Sequence, residues 1–241
     1  MQRSLKALSA LLTYPTQELQ QACGEISEVL EQATAIPLAA RKQLHQLLTE
    51  FATGDLYDLQ ERYVLLFDRT RSLSLHLFEH VHGESRDRGQ AMIDLKEQYE
   101  RHNLFLSATE LPDFLPLFLE YLSVLPAAEA SETLSQPVHI LAAMAERLRK
   151  RKSGYEAVFR ALVALASAQP KDDEVSALLK LPDPDATDLA ALDAAWEDEP
   201  VNFGPGNDGC KDGLIARVRG GLRPAPDMLP ANPTRAGTPR Q

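Results

Sequence analysis

Residues 63–88 read YVLLFDRTRSLSLHLFEHVHGESRDR, and residues 110–122 continue the pattern with ELPDFLPLFLEYL. The first stretch holds three of the six histidines, many leucine and aromatic side chains, and a closing block of alternating charges. Such a mixture of apolar, imidazole and charged groups in one short segment is the most specialised part of the chain. It is where we expect the fold and the function to be decided.

The beginning of this stretch has helical spacing. Tyr63, Leu66 and Phe67 stand at i, i+3 and i+4, and Leu56 and Leu59 extend the same stripe backwards. This spacing places the five side chains on one face of a helix. The face either packs into the core or recognises a partner.

The rest of the chain repeats apolar residues at the same spacing, and proline, glycine and capping residues separate the repeats. No alternating pattern bounded by hairpin signals and no internal repeat is present, so the sequence predicts an all-α protein with a single helical bundle. Predicted helices cover residues 4–12, a segment capped by Thr16, a segment from Pro37 to Gly54, residues 90–102, a segment that starts near Asp113, and residues 138–148 and 158–165.

The composition changes after residue 170. Residues 171–200 carry 10 Asp+Glu against 2 Lys+Arg, and residues 201–241 contain 7 Gly and 6 Pro. Glycine and proline at this density do not sustain regular structure. We therefore expect a helical domain at 1–170, an acidic segment at 171–203 with one weak helix at 188–196, and a disordered tail at 204–241.

Charge and cysteine content exclude several classes of protein. The formal net charge is −10, which argues against nucleic-acid binding because a nucleic-acid binder presents a basic face to phosphates. The two cysteines, Cys23 and Cys210, are far apart and give neither a disulfide framework nor a C-x-x-C site. No apolar run approaches the ~18 residues that span a bilayer, and no signal-peptide core is present. A cytoplasmic protein without membrane insertion is predicted.

A basic cluster ends the predicted helix at 138–148. Arg147, Arg149, Lys150, Arg151 and Lys152 follow one another there. Cations at a helix C-terminus oppose the negative end of the helix dipole, so a structural cap is favoured over a binding patch.

The motif with the most obvious chemistry is His76-Leu-Phe-Glu79-His80, an H-x-x-E-H pattern. On a helix, two such histidines could hold zinc while the glutamate acts as a base. A catalytic zinc also needs a third ligand and an open position, and the spacing singles out no third residue. The candidates are Glu84, Glu97, Glu100 and His102.

Several motifs resemble those of the TorD/DmsD/NarJ family of redox enzyme maturation chaperones, and especially its nitrate reductase members. They are LLTYP at 11–15, the aromatic-x-x-Leu-Phe pattern at 63–67, LFEHVHGESRDRGQAM at 77–92, ELPDFLPLFLEYLSVLP at 110–126 and AWEDEPVNFG at 195–204. The resemblance covers residues 5–203. Phe114 departs from the family, because a histidine is usual at its position in the Glu-Pro-x-Asp-His segment.

The resemblance implies a TorD-like helical bundle and a non-enzymatic function. The nitrate reductase members of this family bind the N-terminal segment of the catalytic (alpha) subunit of nitrate reductase, alone or in its alpha-beta complex. They assist insertion of molybdopterin guanine dinucleotide and delay membrane docking until assembly is complete. The cofactor is received by the client, and none is expected to remain on the chaperone.

We therefore expect a client segment to lie in an apolar groove, in the helix-in-groove mode, with acidic side chains fixing its orientation. The three histidines, which titrate near neutral pH, would make the affinity for the client depend on pH. A zinc hydrolase and a helical adaptor for another client remain the alternatives. The predicted client-binding residues are Tyr63, Leu66, Phe67, His76, Phe78, Glu79, His80, His82, Glu84, Asp87, Arg88, Asp113, Phe114 and Phe118.

Overall fold

A computed structural model describes residues 1–81, 86–106 and 110–183 of the chain. Within these ranges the regular structure is helical, and its only extended pairing is an isolated antiparallel bridge between His76 and Phe114. The predicted all-α class is confirmed. The α-helices are α1 Gln2–Leu11, α2 Gln17–Glu31, α3 Leu38–Thr53, α4 Leu56–Tyr63, α5 Arg86–Arg101, α6 Leu115–Val124, α7 Ala127–Leu134, α8 Val138–Lys150, α9 Glu156–Leu165 and α10 Asp172–Leu179.

Local sequence sets several helix starts. The Thr16 hydroxyl accepts a hydrogen bond from the amide of Leu19 at 3.3 Å, and the Asp55 carboxylate accepts one from the amide of Tyr57 at 2.8 Å. Both residues thereby satisfy amides that the first turn leaves unpaired. Pro116 lies in the first turn of α6, where a missing amide hydrogen costs little.

The core is built mainly from leucine and a few aromatic residues. Helix α1 packs against α6, α2 against α3, and α8 against α9. Between α1 and α6, the buried Ser9 hydroxyl donates to the carbonyl of Pro116 at 2.7 Å. At the centre, Tyr155 has no exposed surface and contacts Phe51 and Phe67 edge to face. The predicted stripes therefore meet in one core.

Several predicted helix boundaries differ from the structure. Helix α5 begins at Arg86 rather than at residue 90 and includes Gly89, around which there is open space. Glycine lowers helix stability without forbidding the conformation. The helix carrying Tyr63 also does not continue regularly, because Val64–Asp68 forms a π-helical turn.

Helices α7 and α10 were not predicted. Helix α10 packs against α8, and its Leu178 is 8% exposed and belongs to the core. Packing of the bundle thus extends beyond residue 170, where proline and acidic residues suggested an end. The predicted helix at 188–196 and the predicted disordered tail lie outside the described residues.

In the described part of the chain, no helix is both long enough and apolar enough to cross a lipid bilayer.

Candidate functional site

The predicted site centres on residues 71–81, which contain no α-helix and which we call the site segment. Its two 3₁₀ turns, Arg71–Leu73 and Leu77–Glu79, flank the stretch Ser74, Leu75 and His76, and the backbone is extended at His76. This stretch pairs with the loop before α6: the Leu77 amide donates to the carbonyl of Asp113 at 3.0 Å, and the Leu115 amide donates to the carbonyl of Leu75 at 2.8 Å. The segment is therefore fixed by backbone pairing to a partner almost forty residues away.

The Asp113 side chain completes this pairing. It has no exposed surface, and its Oδ2 accepts a hydrogen bond from the Phe78 amide at 3.1 Å while its Oδ1 lies 3.2 Å from Nδ1 of His76. A buried carboxylate is stable only when such partners replace water. We conclude that Asp113 acts on the site by holding its backbone and one imidazole in place.

His76 and His80 have different environments. The hydrogen bond with Asp113 raises the pKa of His76 above its usual value, although partial burial opposes that shift. His80 donates from Nε2 to the carbonyl of Ser74 at 2.8 Å, and burial lowers its pKa. The first imidazole is therefore biased towards its charged form and the second towards its neutral form.

These positions do not match the helical zinc motif. His76 is extended rather than helical, so His76 and His80 do not occupy consecutive turns of a helix. One nitrogen of each ring is already engaged by Asp113 or by a backbone carbonyl. Across residues 1–81, 86–106 and 110–183, no group of three His, Cys, Asp or Glu side chains could hold a metal ion.

A small part of the predicted site forms a partly exposed surface. The rings of His76 and Phe114 lie 5.4 Å apart between centroids, and Nη2 of Arg88 lies 3.3 Å from Oε1 of Glu79. The side chains of Glu79 and Arg88 are 26% and 23% exposed. Both charges also act on His76, Glu79 raising its pKa and Arg88 lowering it. We call His76, Glu79, Arg88 and Phe114 the His76 surface.

Most predicted aromatic residues lie in the core instead. Tyr63 and Phe67 are each 4% exposed, and the Tyr63 hydroxyl donates to the carbonyl of Leu12 at 3.0 Å. Phe78 and Phe118 are 8% and 4% exposed. In this structure these four residues have a packing role, and the recognition face predicted at Tyr63 and Phe67 is not presented to solvent.

The remaining predicted residues have mixed placements. Leu66 and Asp87 are half-buried, and Asp87 lies in the first turn of α5. His82 and Glu84 lie outside the described residues.

A small apolar cavity of about 40 Å³ lies behind the 3₁₀ turn at Leu77–Glu79. Phe78 and Phe118 line it together with Leu77, Val81 and Ile140. A larger groove of about 390 Å³ lies at the start of α1 and includes none of the predicted residues. Of the apolar residues predicted to bind the client, Phe78 and Phe118 line this small cavity.

Arg147 contacts the site but was not among the predicted residues. It is 2% exposed, and its Nη1 donates to the carbonyl of Ser72 at 2.7 Å at the start of the site segment. Arg147 lies in the last turn of α8, as the cap prediction expects, but its guanidinium is buried, whereas Arg149 pairs with Glu146 on the surface. An arginine in a basic run gives no sequence signal that it is buried.

Comparisons with known proteins give the family of the chain. Residues 15–161 match the model of the nitrate reductase delta subunit family. The nitrate reductase molybdenum cofactor assembly chaperone NarJ of Escherichia coli K12 is 45% identical over 212 residues, which cover 88% of this chain and 89% of NarJ. NarW of the same strain is 42% identical over 203 residues, with 83% of each chain covered.

The fold is also found in a solved structure. The crystal structure of a protein described as a redox enzyme maturation protein from Archaeoglobus fulgidus superposes with a TM-score of 0.50 at 21% identity, covering 67% of this chain and 91% of that one. The resemblance predicted from the sequence motifs is confirmed by the family model and by the identity to NarJ. The chain belongs to the nitrate reductase delta subunit family.

Proposed function

We propose that this protein is a dedicated assembly chaperone of respiratory nitrate reductase. It binds the N-terminal segment of the catalytic alpha subunit, free or in the alpha-beta complex, in the cytoplasm. Binding keeps the subunit open for insertion of molybdopterin guanine dinucleotide and delays its docking to the membrane. The client receives the cofactor, and the chaperone makes or breaks no bond itself.

One observation carries this proposal: the 45% identity to NarJ extends over nearly the whole of both proteins. Identity at this level, across so much of each chain, supports a common client more strongly than a common fold would. The same level of match to NarW supports the same class of client.

The chemistry of the His76 surface supports peptide recognition. The Phe114 ring offers apolar area, while Glu79 and Arg88 offer both signs of charge next to it. An amphipathic segment would place an apolar side chain against Phe114 and pair a basic side chain with Glu79. Such partly exposed charges contribute to orientation and association rate more than to affinity.

A binding measurement with matched controls tests the client. A synthetic peptide from the N-terminus of the nitrate reductase alpha subunit is titrated into the full-length protein by calorimetry. We expect Phe114→Ala to weaken binding about ten-fold, the size expected for a central aromatic contact, and Glu79→Gln to weaken it less. Tyr57→Ala is the control for Phe114, since Tyr57 is an exposed aromatic residue on α4. Glu50→Gln is the control for Glu79, since Glu50 forms an ion pair with Arg62.

The results discriminate the alternatives. Loss of affinity in the two site variants, with both controls unchanged, supports the proposal. A wild-type protein that does not bind this peptide, but binds another, is instead an adaptor for a different client. Bound zinc at about one ion per chain, lost in His76→Ala, would identify the hydrolase and overturn the proposal.

The cofactor and docking steps need a cellular experiment. In a strain that lacks this protein, we expect the alpha subunit to accumulate with little molybdopterin guanine dinucleotide. Wild-type protein should restore the cofactor content, and Phe114→Ala should restore less of it than Tyr57→Ala does. Full cofactor content without the chaperone would contradict its role in insertion.

A further inference from the structure

A buried arginine joins three parts of the bundle. Arg147 lies near the end of α8, and its two terminal nitrogens donate to the carbonyls of Ser72 and Leu178, both at 2.7 Å. Ser72 lies in the first 3₁₀ turn of the site segment, and Leu178 lies in α10. Burial lowers the pKa of Arg147, whereas the negative charge of Asp183 acts in the opposite direction. One guanidinium therefore links α8, α10 and the site segment.

A second link lies next to it on the surface. The Arg151 guanidinium donates two hydrogen bonds to the Asp183 carboxylate, at 2.9 Å and 2.7 Å, and the hydroxyl of Ser72 donates to the same carboxylate. Burial would raise the pKa of Asp183, but these hydrogen bonds and the charges of Arg151 and Arg147 outweigh it and lower the pKa. Asp183 is therefore charged at neutral pH and attached to Ser72.

Helix α10 also contacts the beginning of α8. Nδ1 of the buried His139 lies 3.5 Å from Oε2 of Glu174. His139, Arg147 and Arg151 are separated by multiples of four residues, which places them on one side of α8. His139 also lines the small cavity beside the site. Residues 171–183, which we call the strap, thus run along one face of α8 and contact it at three levels.

The strap is linked to one end of the site segment at Ser72, and Asp113 binds the other end at His76 and Phe78. Two residues after Ser72, Ser74 accepts the hydrogen bond from the His76 amide on its hydroxyl at 3.2 Å and that from His80 on its carbonyl at 2.8 Å. A displacement of Ser72 would therefore move the acceptors of both histidines. The extended geometry at His76 depends on both ends of the segment being held.

We propose that the strap, through Arg147 and Asp183, positions the His76 surface for its partner, and that Arg147 and Asp183 are positioning residues of this site. The proposal rests on the proposed function for the identity of the partner. Beyond that function, the strap is an acidic segment after α9 that regulates the site. It is attached to Ser72, and its release loosens residues 73–80.

Asp183→Asn tests the strap without disturbing the core. It removes the charge that Arg151 binds while keeping the size of the side chain. Asp183→Glu is the conservative variant, since it keeps the carboxylate. Glu146→Gln is the matched control, because Glu146 forms an ion pair with Arg149 on α8 and the loss of that pair leaves the strap in place.

Two measurements on the full-length chain give separate readouts. Hydrogen exchange reports the opening of residues 73–80 without any client, and calorimetry reports affinity for the alpha-subunit peptide. We expect exchange at 73–80 to be about two- to five-fold faster in Asp183→Asn, and peptide affinity to fall by a similar factor, as for the loss of one partly exposed ion pair. Asp183→Glu and Glu146→Gln should resemble the wild type.

Exchange at 73–80 that does not change in Asp183→Asn overturns the proposal, whatever the client. Faster exchange with unchanged peptide affinity also overturns it, because the strap then only stabilises the fold. If the wild-type protein does not bind the peptide, the proposed function fails, and the exchange measurement still decides whether the strap holds the segment.

Discussion

Nδ1 of His76 lies 3.2 Å from Oδ1 of Asp113, a carboxylate that is completely buried and 37 residues further along the chain. The other oxygen of the same carboxylate accepts the amide hydrogen of Phe78. One side chain therefore sets both the orientation of an imidazole and the path of the backbone beside it. Substitutions of Asp113 should therefore change both the stability of the fold and the pKa of His76.

Asp113→Asn tests this relationship. An amide of the same size can accept from the Phe78 amide but has no charge to offer His76. We expect the free energy of unfolding in urea to fall by about 1–3 kcal/mol, as for loss of a hydrogen bond to a charged group. The pKa of His76, measured by NMR, should fall, because the hydrogen bond to the Asp113 carboxylate is the largest cause of its raised value. An unchanged His76 titration in a folded variant would contradict the assigned pairing.

The two described histidines of the site should give opposite pH dependence. The pKa of His76 is raised in the folded state, so its contribution to stability is complete below its ordinary value of 6.5 and is lost as the pH rises through the raised value. The pKa of His80 is lowered, so its contribution is complete above 6.5 and is lost as the pH falls.

Urea unfolding at about pH 5.5 and about pH 8 measures both effects. The stability lost in His76→Gln should be larger at the acidic pH. The stability lost in His80→Gln should be larger at the alkaline pH. The same trend in both variants would show that the two environments are not as described.

Much of the fold could be predicted from local patterns, because helical periodicity depends on residues that are close together in the sequence. The helix predicted to start near Asp113 is α6, and its Leu115, Phe118, Leu119 and Leu122 are all buried. The pairing of residues 75–77 with 113–115 could not be predicted, since it depends on two loops meeting in space. Asp113 entered the predicted site through the family motif alone.

The contacts of the Arg147 side chain could not be predicted either. In the sequence it is one of several basic residues at the end of a helix. Its acceptors are the carbonyls of Ser72 and Leu178, which are 75 and 31 residues away and carry no side-chain signal. Helix α10 was missed for a related reason, because its acidic residues suggested a solvated segment while its Leu178 is buried.

Alanine substitutions at Phe118 and Phe114 should lower stability by different amounts, because Phe118 lies in the core and Phe114 lies on the His76 surface. Phe118 is 4% exposed in α6, so Phe118→Ala leaves a cavity and should lower the free energy of unfolding by about 3–5 kcal/mol. Phe114 is only partly buried, so Phe114→Ala should lower it by less than half as much. Thermal unfolding of both variants measures the difference. Equal losses would place Phe114 in the core and remove it from the His76 surface.

Arg147→Met should be among the most destabilising substitutions in α8. The variant fills a similar volume but leaves the buried carbonyl of Ser72 without its donor and removes one of the donors to the carbonyl of Leu178, which we expect to cost about 2–4 kcal/mol of unfolding free energy. Arg147→Lys should recover only part of it, since a single ammonium group lacks the fork that reaches two separated acceptors. Arg149→Met is the matched control two residues away, where the guanidinium pairs with Glu146 on the surface, and it should unfold almost as the wild type does. Urea unfolding of the three variants measures these differences. Equal stability of Arg147→Met and Arg149→Met would mean that the buried links to Ser72 and Leu178 contribute nothing to the fold.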